Sequence, residues 1–561
     1  MLLVCHEELC LLVGVALRSK IFTADFCATA SSSSRCYLGL SSAGLVQVVH
    51  PFDAVTHAQI GKVRPRGTWR GVHQGWEFPL AAAQVLQERL GSRFPVKDDL
   101  ARWIDWHRHP LPPLPEHRHL VQLADLEATL PDGRQPLPHQ RSAVRWLLAR
   151  RGAVLADEMG LGKTLTALLA ARALMRAMPL RLMVVAPVGL HGHWRREAES
   201  LDLPVSLLSW ARLPDDLPSS GTLLVVDEAH YGQSMAAQRT QSLLRLARHP
   251  RLRAIWLLTG TPMKNGRPDQ LYPLLAAIDH PIARDQRAFE ELFCQGHWRE
   301  EGGRRRWQAK GATQLEELRR LTRPLVLHRR KQQVLALPPK QRCVHPIALE
   351  EAEARGLDHR VAQVVDDYRR RVREGLVRSD AEAFAVLTAL RRIGAEFKLP
   401  FALQLLNDLR QRAQPVVLFS GFVAPLQLLH QRLGGELLTG RLKSTERQAV
   451  VDRFQSGQSD LLLATYGAGG LGFTLHRARQ VVLLERPWTP GDVDQAEDRC
   501  HRLGMDGGLT SHWLQLGLAD QLVDGLVASK ARQIEVLLGQ RRLNLERQPL
   551  PALLARCLQD V

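Results

Sequence analysis

The sequence predicts an α/β protein: two parallel sheets flanked by helices, a helical insertion between them, and a small N-terminal α+β accessory region. Three observations carry this. Beyond residue 136, the apolar runs GAVLAD, RLMVVAP, GTLLVVDE and AIWLLTG alternate with amphipathic stretches such as LTALLAARALMRAM. β-α-β alternation of this kind is the signature of a parallel sheet covered by helices. The alternation stops near Leu275, gives way to a charged stretch of helical period up to about Glu396, and restarts with PVVLFSG, DLLLATY, QVVLLER and SHWLQLG. Before it, Pro110, Pro112, Pro113, Pro115, Pro131, Pro136 and Pro138 mark a stiff, helix-hostile connection.

The expected organisation is as follows. Residues 1–45, with an SSSS run and no period, form a disordered extension. Residues 46–115 form the accessory region, in which WEFPLAAAQVLQERLG turns helical in its second half. Residues 116–135 are a Pro-rich linker and 136–275 the first α/β lobe. Residues 276–395 are the helical insertion, with RRR at 304–306 and HRRK at 328–331. The second lobe spans 396–540 and a tail 541–561.

A chain of 561 residues is too long for one core. Its 45% hydrophobic and 24% charged residues are the balance of a soluble globular protein. Lys and Arg number 75 against 57 Asp and Glu, a formal charge of +18. Such a surplus suits a polyanionic partner, whose counterions are released on binding; an Arg-rich composition on ordinary solvated faces would give the same number. The eight Cys show no C-x2-C pair, so reduced thiols are expected rather than a zinc site. The apolar run Cys10–Leu17 is too short to span a bilayer and lacks the flanks of a signal peptide, which predicts no membrane association and a cytoplasmic location, nucleoid-associated if bacterial.

Three constellations carry chemistry. Asp157-Glu158-Met159-Gly160-Leu161-Gly162-Lys163-Thr164 lies between an apolar strand and a helix. There, backbone N–H groups converge on phosphate oxygens, Lys163 reaches the β/γ-phosphates and the Thr164 hydroxyl holds Mg²⁺. The strict pattern begins with Gly, and here that place is Asp157. Asp227-Glu228-Ala229-His230 closes the strand TLLVV. A carboxylate at that point can hold Mg²⁺, so Thr164 and Asp227 are the expected metal ligands, and the next carboxylate, Glu228, can orient or deprotonate the attacking water. Finally, Gln495, Arg499 and Arg502 are spaced by four and three residues, which places them on one helical face. Two arginines there suit the charge of a transferring phosphoryl group; a solvated, salt-bridged helix gives the same spacing. Among smaller pieces, Gln140 in LPHQ can read an adenine edge, and Ala468-Gly469-Gly470-Leu471-Gly472 can admit a phosphate backbone or simply turn tightly. Outside these signatures no metal-carboxylate or His cluster remains, which speaks against a nuclease.

In chain order, LPHQ, DEMGLGKT, VVAPVGLHGHW, DEAH, LTGTPMKN, LHRRK, VVLFSGF, TYGAGGLGF and QAEDRCHRLG resemble the Swi/Snf branch of helicase superfamily two, over roughly residues 136–535. The leading Asp157 is that branch's own variant of the phosphate loop. WTPGDVDQAEDRCHR and the GFT at 472–474 look most like its annealing-helicase members. The segment from Phe52 through Trp69 to Leu80 is faintly similar to their HARP accessory module, and Trp69, Trp76, Trp103 and Trp106 are expected as core aromatics. Met505, Glu485 and His328 depart from the branch's pattern.

The resemblance implies two RecA-like lobes that bind ATP and Mg²⁺ between them. Lys163, Asp227, Glu228, Arg499 and Arg502 would be the catalytic set. Gln140, the loop Asp157–Thr164 and Gln495 would contact the nucleotide. Pro187, Thr465, Gly469, Gly470, Arg329 and Arg330 are the candidate DNA contacts. The implied activity is ATP-dependent translocation of a monomeric motor on double-stranded or forked DNA, in repair or fork remodelling. Alternatives are a motor that remodels RNA polymerase or serves phage defence, or a clamp that barely hydrolyses ATP. The recruiting partner is not legible.

Overall fold

The computed structural model describes residues 36–528, except 41–44, 52, 65, 71–74, 79–81, 99, 102–103, 105–116, 127–128, 264–265, 302, 375–379, 470–472, 503, 518–519, 522 and 526. Most of the expected extension, the tail 541–561, Trp103, Trp106 and Gly470 lie outside the described residues. The chain divides into two units, 1–109 and 110–561, with the boundary at the head of the proline cluster. Among the described residues no helix is long and apolar enough to cross a membrane.

The first unit is built on a four-stranded antiparallel sheet of order β1-β2-β4-β3, comprising β1 (Tyr37–Leu40), β2 (Val46–Val49), β3 (Thr68–Arg70) and β4 (Gly75–Phe78). β1 falls inside the segment expected to be disordered. Its Leu38 is fully buried; its N–H donates to Pro95 O at 3.0 Å and its carbonyl accepts from the Lys97 N–H at 2.8 Å. Asp53 caps the helix Ala54–Gly61 by accepting from the Thr56 N–H at 2.9 Å. That helix brings His57 against Trp69 and Trp76, with ring centroids 4.6 and 4.9 Å away, so both tryptophans pack within the unit.

The second unit holds two six-stranded sheets, each wholly parallel. The first has the order β12-β5-β9-β8-β6-β7. Its strands are β5 (Gly152–Leu155), β6 (Arg181–Ala186), β7 (Val205–Ser209), β8 (Thr222–Val226), β9 (Leu252–Leu258) and β12 (Val326–Leu327). Every residue of β8 is buried, as expected of a central parallel strand covered on both faces. The helix Lys163–Ala177 lies on this sheet through Ala167, Ala170, Ala171 and Ala173, whose small side chains allow close approach.

The second sheet has the order β13-β18-β17-β14-β16-β15. It comprises β13 (Lys340–Pro346), β14 (Val416–Ser420), β15 (Glu436–Leu438), β16 (Leu461–Thr465), β17 (Gln480–Leu483) and β18 (Leu509–Gln515). Its two faces carry separate apolar clusters, one around Phe454 and Leu475, the other around Leu406 and Leu426.

Two expectations are corrected here. The 116–135 stretch is not a bare linker: it contains the helix His117–Leu123, and Leu120, Ala124, Leu126 and Leu130 enter the first lobe's core. The 276–395 stretch is helical only in part. It donates β12 to one sheet and β13 to the other, and ahead of both carries a hairpin of β10 (His297–Glu301) and β11 (Arg304–Gln308). Its helical part includes the shorter helices Gln286–Phe293 and Leu315–Thr322 and two long ones, Glu351–Arg373 and Asp380–Phe397. β12 is two residues long and β13 (KQRCVHP) is mostly charged and polar, so neither produces an apolar run.

Candidate nucleotide site between the lobes

The phosphate loop leaves the carboxyl end of β5 and enters the helix Lys163–Ala177. Its turn needs left-handed backbone at Gly160 (φ +85°) and Gly162 (φ +72°). A Cβ on Gly162 would stand 2.2 Å from Gln140 Nε2, so a larger residue there would also push the Gln140 amide aside. Lys163 Nζ donates to the carbonyls of Asp157 (2.7 Å) and Glu158 (3.2 Å), folding over the loop it serves.

Asp157, buried in the place of the strict pattern's glycine, has a structural partner. Arg329 Nε donates to its Oδ1 at 3.0 Å and Arg329 Nη2 to its Oδ2, while Arg329 Nη1 reaches the His139 carbonyl (2.6 Å) and Ser142 Oγ (2.7 Å). The chain following β12 continues alongside the loop: Ala156 N–H donates to Leu327 O at 2.7 Å and Glu158 N–H to Arg329 O at 3.0 Å. His328 Nδ1 lies 2.8 Å from Ala156 O. Arg329, expected at the DNA, is therefore committed to bracing the loop. Its neighbour Lys331 donates its N–H to Glu158 Oε2 (2.8 Å) and pairs through Nζ with Asp498 of the second lobe (2.6 Å). Arg330 lines a cavity of about 600 Å³ between the lobes, together with Glu158, Lys340 and Arg342.

Asp227 and Glu228 follow β8. Asp227 Oδ2 accepts from Trp194 Nε1 at 2.8 Å, its Oδ1 from the Glu228 N–H at 2.8 Å, and its carbonyl from Trp210 Nε1 at 3.1 Å. Burial, with the Glu228 charge beside it, pushes the Asp227 carboxyl up to about 6. Burial acts the same way on Glu228, but His230, Lys163 and Arg499 outweigh it and hold that carboxyl well below the usual range. His230 Nδ1 stands 3.2 Å from Glu228 Oε2, without hydrogen-bond alignment. Glu228 has φ +48°, a left-handed conformation that costs a non-glycine residue on the order of 1–2 kcal/mol. Strain of this size is commonly retained at functional positions.

From the second lobe, the helix Pro490–Cys500 brings Arg499, and the turn just beyond it brings Arg502. Both line one cavity of about 320 Å³ with Gln140, Gly162, Lys163, Thr164, Asp227 and Glu228. Arg502 is oriented by Thr474 Oγ1 (3.1 Å) and the Asp498 carbonyl (2.9 Å); burial and Arg499 push it down to about 9. Gln495 is not in this group. It lines a neighbouring cavity of about 280 Å³ with Pro187, Tyr466, Gly467 and, again, Glu228. The helix stops at Cys500, so the 495–499–502 spacing does not describe one continuous helical face. Thr465 Oγ1 accepts from Ala468 N–H at 3.4 Å, and Gly469 closes the short helix Tyr466–Gly469.

The lining suits a nucleotide and a hard divalent cation. Lys163, Arg499 and Arg502 concentrate positive charge where phosphates would lie. Thr164 and Asp227 offer the oxygen donors Mg²⁺ takes, and a cation beside Asp227 would return its raised carboxyl to the charged form.

Three residues given no role of their own in the sequence reading complete the arrangement. Trp194 and Trp210 fix Asp227. Gln233 Nε2 donates to the carbonyls of Thr261 (3.0 Å) and Pro262 (2.8 Å), tying the DEAH segment to LTGTP. Thr261 in turn meets the second lobe: a Cβ on Gly491 would lie 2.6 Å from Thr261 Cγ2, so glycine at the start of the arginine-bearing helix permits the contact.

Comparison with known proteins agrees with this geometry. A family model described as "SNF2-related domain" matches residues 139–203 and 218–396, and one described as "Helicase conserved C-terminal domain" matches 398–504. The chain belongs to the Swi/Snf branch of helicase superfamily two. Its curated relatives in the Swi/Snf family include the bovine "DNA annealing helicase and endonuclease ZRANB3", 28% identical over 73% of this chain and 41% of that protein. The Xenopus tropicalis "SWI/SNF-related matrix-associated actin-dependent regulator of chromatin subfamily A-like protein 1" is 27% identical over 76% of this chain and 46% of that protein. The chain thus spans less than half the length of these relatives. Among solved structures, the Sulfolobus solfataricus SWI2/SNF2 ATPase core in complex with dsDNA aligns with 74% of this chain and 95% of its own, at 20% identity and a TM-score of 0.33.

Proposed function

We propose that this Swi/Snf chain is an ATP-dependent translocase on double-stranded DNA. The observation that carries the proposal is the shared cavity, in which Lys163, Thr164, Asp227 and Glu228 of one lobe face Arg499 and Arg502 of the other. In this reading the site is complete only when the cleft is closed. Bound ATP with Mg²⁺ supplies the phosphoryl group to be transferred; the chain's own residues do the rest. Lys163 and the loop N–H groups hold the phosphates. Glu228, kept ionised, takes the proton of the attacking water, and the two arginines meet the charge that develops. Opening removes the arginines and moves one lobe along the DNA backbone relative to the other.

Coupling would run through Glu228, which lines both the nucleotide cavity and the neighbouring one formed with Pro187, Tyr466 and Gly467. Action on forked DNA in repair, by a monomeric motor, is the corresponding biological proposal. It is supported by similarity to a relative named as a DNA annealing helicase.

The test is the ATPase rate without nucleic acid and with single-stranded DNA, duplex, forked duplex and RNA, across salt. Strong stimulation by duplex or fork that fades as salt rises is expected. Equal rates in all conditions would contradict the proposal and favour a clamp.

Trp194→Phe tests the metal arrangement. It removes the Asp227 Oδ2 donor, a hydrogen bond to a charged group worth about 1.5–3 kcal/mol. The Mg²⁺ concentration for half-maximal hydrolysis is expected to rise roughly tenfold or more. An unchanged Mg²⁺ titration would remove Asp227 from the metal's shell.

A further inference from the structure

The connection from the first lobe to the second runs from β12 to β13, and Lys331 lies on it at the head of the short helix Lys331–Val334. Lys331 is buried and has no part in the hydrolysis scheme above, yet it touches both halves of the site.

On one side it meets the phosphate loop. Its N–H donates to Glu158 Oε2 at 2.8 Å, and the Glu158 carbonyl in turn accepts from Lys163 Nζ at 3.2 Å. On the other side it meets the turn that carries Arg502. Lys331 Nζ pairs with Asp498 at 2.6 Å, both side chains being only 6% exposed, and donates to the His501 carbonyl at 3.3 Å. Asp498 and His501 are the residues that place Arg502. The Asp498 carbonyl accepts from Arg502 Nε at 2.9 Å, and His501 is the arginine's neighbour in the chain.

Two further contacts bind the same parts together. The far end of the connection holds the turn as well, with Pro338 O 2.8 Å from His501 Nε2. Gly160 of the phosphate loop lies against both long side chains: a Cβ there would stand 3.7 Å from Arg502 Cγ and 3.8 Å from Lys331 Cδ.

A buried ion pair adds little stability over apolar packing of the same volume. What this one supplies is a fixed distance between the phosphate loop and the arginine turn. It is also built to release. Asp498 has a second cation, Lys340 at 3.4 Å, and Lys340 belongs to β13 of the second lobe's own sheet. When the cleft opens, Asp498 keeps that partner, so parting from Lys331 does not strand a carboxylate.

Building on the translocase reading, we infer that Lys331 is a positioning residue that clasps the lobes at the nucleotide: its ammonium holds the Asp498–Arg502 turn against the phosphate loop, so that Arg502 stands at its working distance only while the clasp is made.

The test uses the full chain and is read by ATP hydrolysis with and without duplex DNA, by titration of mant-ADP with and without aluminium fluoride, and by thermal melting. Lys331→Met keeps the stem and removes the charge. Its kcat is expected to fall roughly tenfold to a hundredfold, the cost of a misplaced reacting group, with the KM for ATP unchanged. Mant-ADP alone should bind as it does to the wild type. The added tightness given by aluminium fluoride, which mimics the transferring phosphoryl group, should shrink by the same factor as kcat. Lys331→Met/Asp498→Asn also removes the carboxylate charge left facing the methionine. It should melt above the single variant yet hydrolyse ATP as slowly. Should Lys331→Met fail to fold, the double variant carries the same expectations.

Wild-type kcat and a wild-type response to aluminium fluoride in a folded variant would overturn the inference. So would a double variant that regains its rate along with its stability, which would make Lys331 a structural residue only. Hydrolysis that slows in these variants but is not stimulated by duplex would support the inference and sink the translocase reading alone.

Discussion

Glu228→Gln is expected to lower the maximal rate of ATP hydrolysis by at least about a hundredfold, the low end of what a positioned general base contributes. The substitution preserves shape and removes only the ability to take a proton. Three positively charged or protonatable groups, His230, Lys163 and Arg499, hold the Glu228 carboxyl ionised against its burial, the condition a base at neutral pH must meet. Losing the charge also relieves Asp227, whose carboxyl is raised in part by Glu228, so Mg²⁺ and ATP should bind at least as well as in the wild type. The expected signature is a kcat loss with little change in apparent ATP affinity, which marks an interaction made only in the transition state. Duplex binding measured without hydrolysis should be unaltered. A comparable fall in ATP affinity would instead make Glu228 a positioning group for the nucleotide.

The fold was legible where burial is two-sided. The eight apolar runs that suggested strands correspond to β5, β6, β8, β9, β14, β16, β17 and β18, because a strand covered by helices on both faces keeps most of its positions apolar. The strands that escaped notice are all at or next to a sheet edge. β12 has two residues, β15 has three, and β13 (KQRCVHP) is mostly charged and polar, with every residue at least partly exposed. Missing β12 also misplaced Arg329. In sequence, HRRK is only a basic cluster; once Val326 pairs with Val154, the arginine two residues beyond Leu327 must lie beside Asp157, 172 positions away along the chain.

The residues of the site divide the same way. Lys163, Thr164, Asp227, Glu228, Arg499 and Arg502 could be singled out because their chemistry requires those residue types at strand ends and loops, and they line one cavity. Trp194, Trp210, Gln233 and Gly491 act through contacts that no local spacing encodes. A tryptophan eight residues after the end of β6 reads as core until its Nε1 is seen on Asp227. Gln495 illustrates the converse. Helical spacing grouped it with the arginines, yet the helix ends at Cys500 and Gln495 faces the cavity on the other side of Glu228.

Lys398→Met is expected to destabilise the second lobe by about 3–5 kcal/mol, the cost of removing one partner from a buried ion pair. Lys398 is fully buried at the start of the helix Leu399–Gln411. Its Nζ pairs with Asp520 and donates to Leu484 O (2.9 Å) and Leu514 O (3.4 Å), just after β17 and at the end of β18. One ammonium therefore gathers two strand ends and the segment that follows them. Burial lowers the lysine's pKa, and the Asp520 charge opposes that shift. Methionine fills the stem but leaves a carboxylate in the core and two carbonyls without their donor. The melting temperature of the lobe should fall by roughly 10 °C, and amide exchange should accelerate along β18. Adding Asp520→Leu removes the stranded charge and should recover most of the loss. Recovery will stop short of wild type, because Asp520 Oδ2 also accepts the Leu516 N–H at 2.7 Å, and an orphaned buried donor costs about 1–3 kcal/mol. Since the helix carrying Arg499 is strung between β17 and β18, the same variant should lose hydrolysis at temperatures below its melting point, as the arginines drift from the cavity before the lobe unfolds.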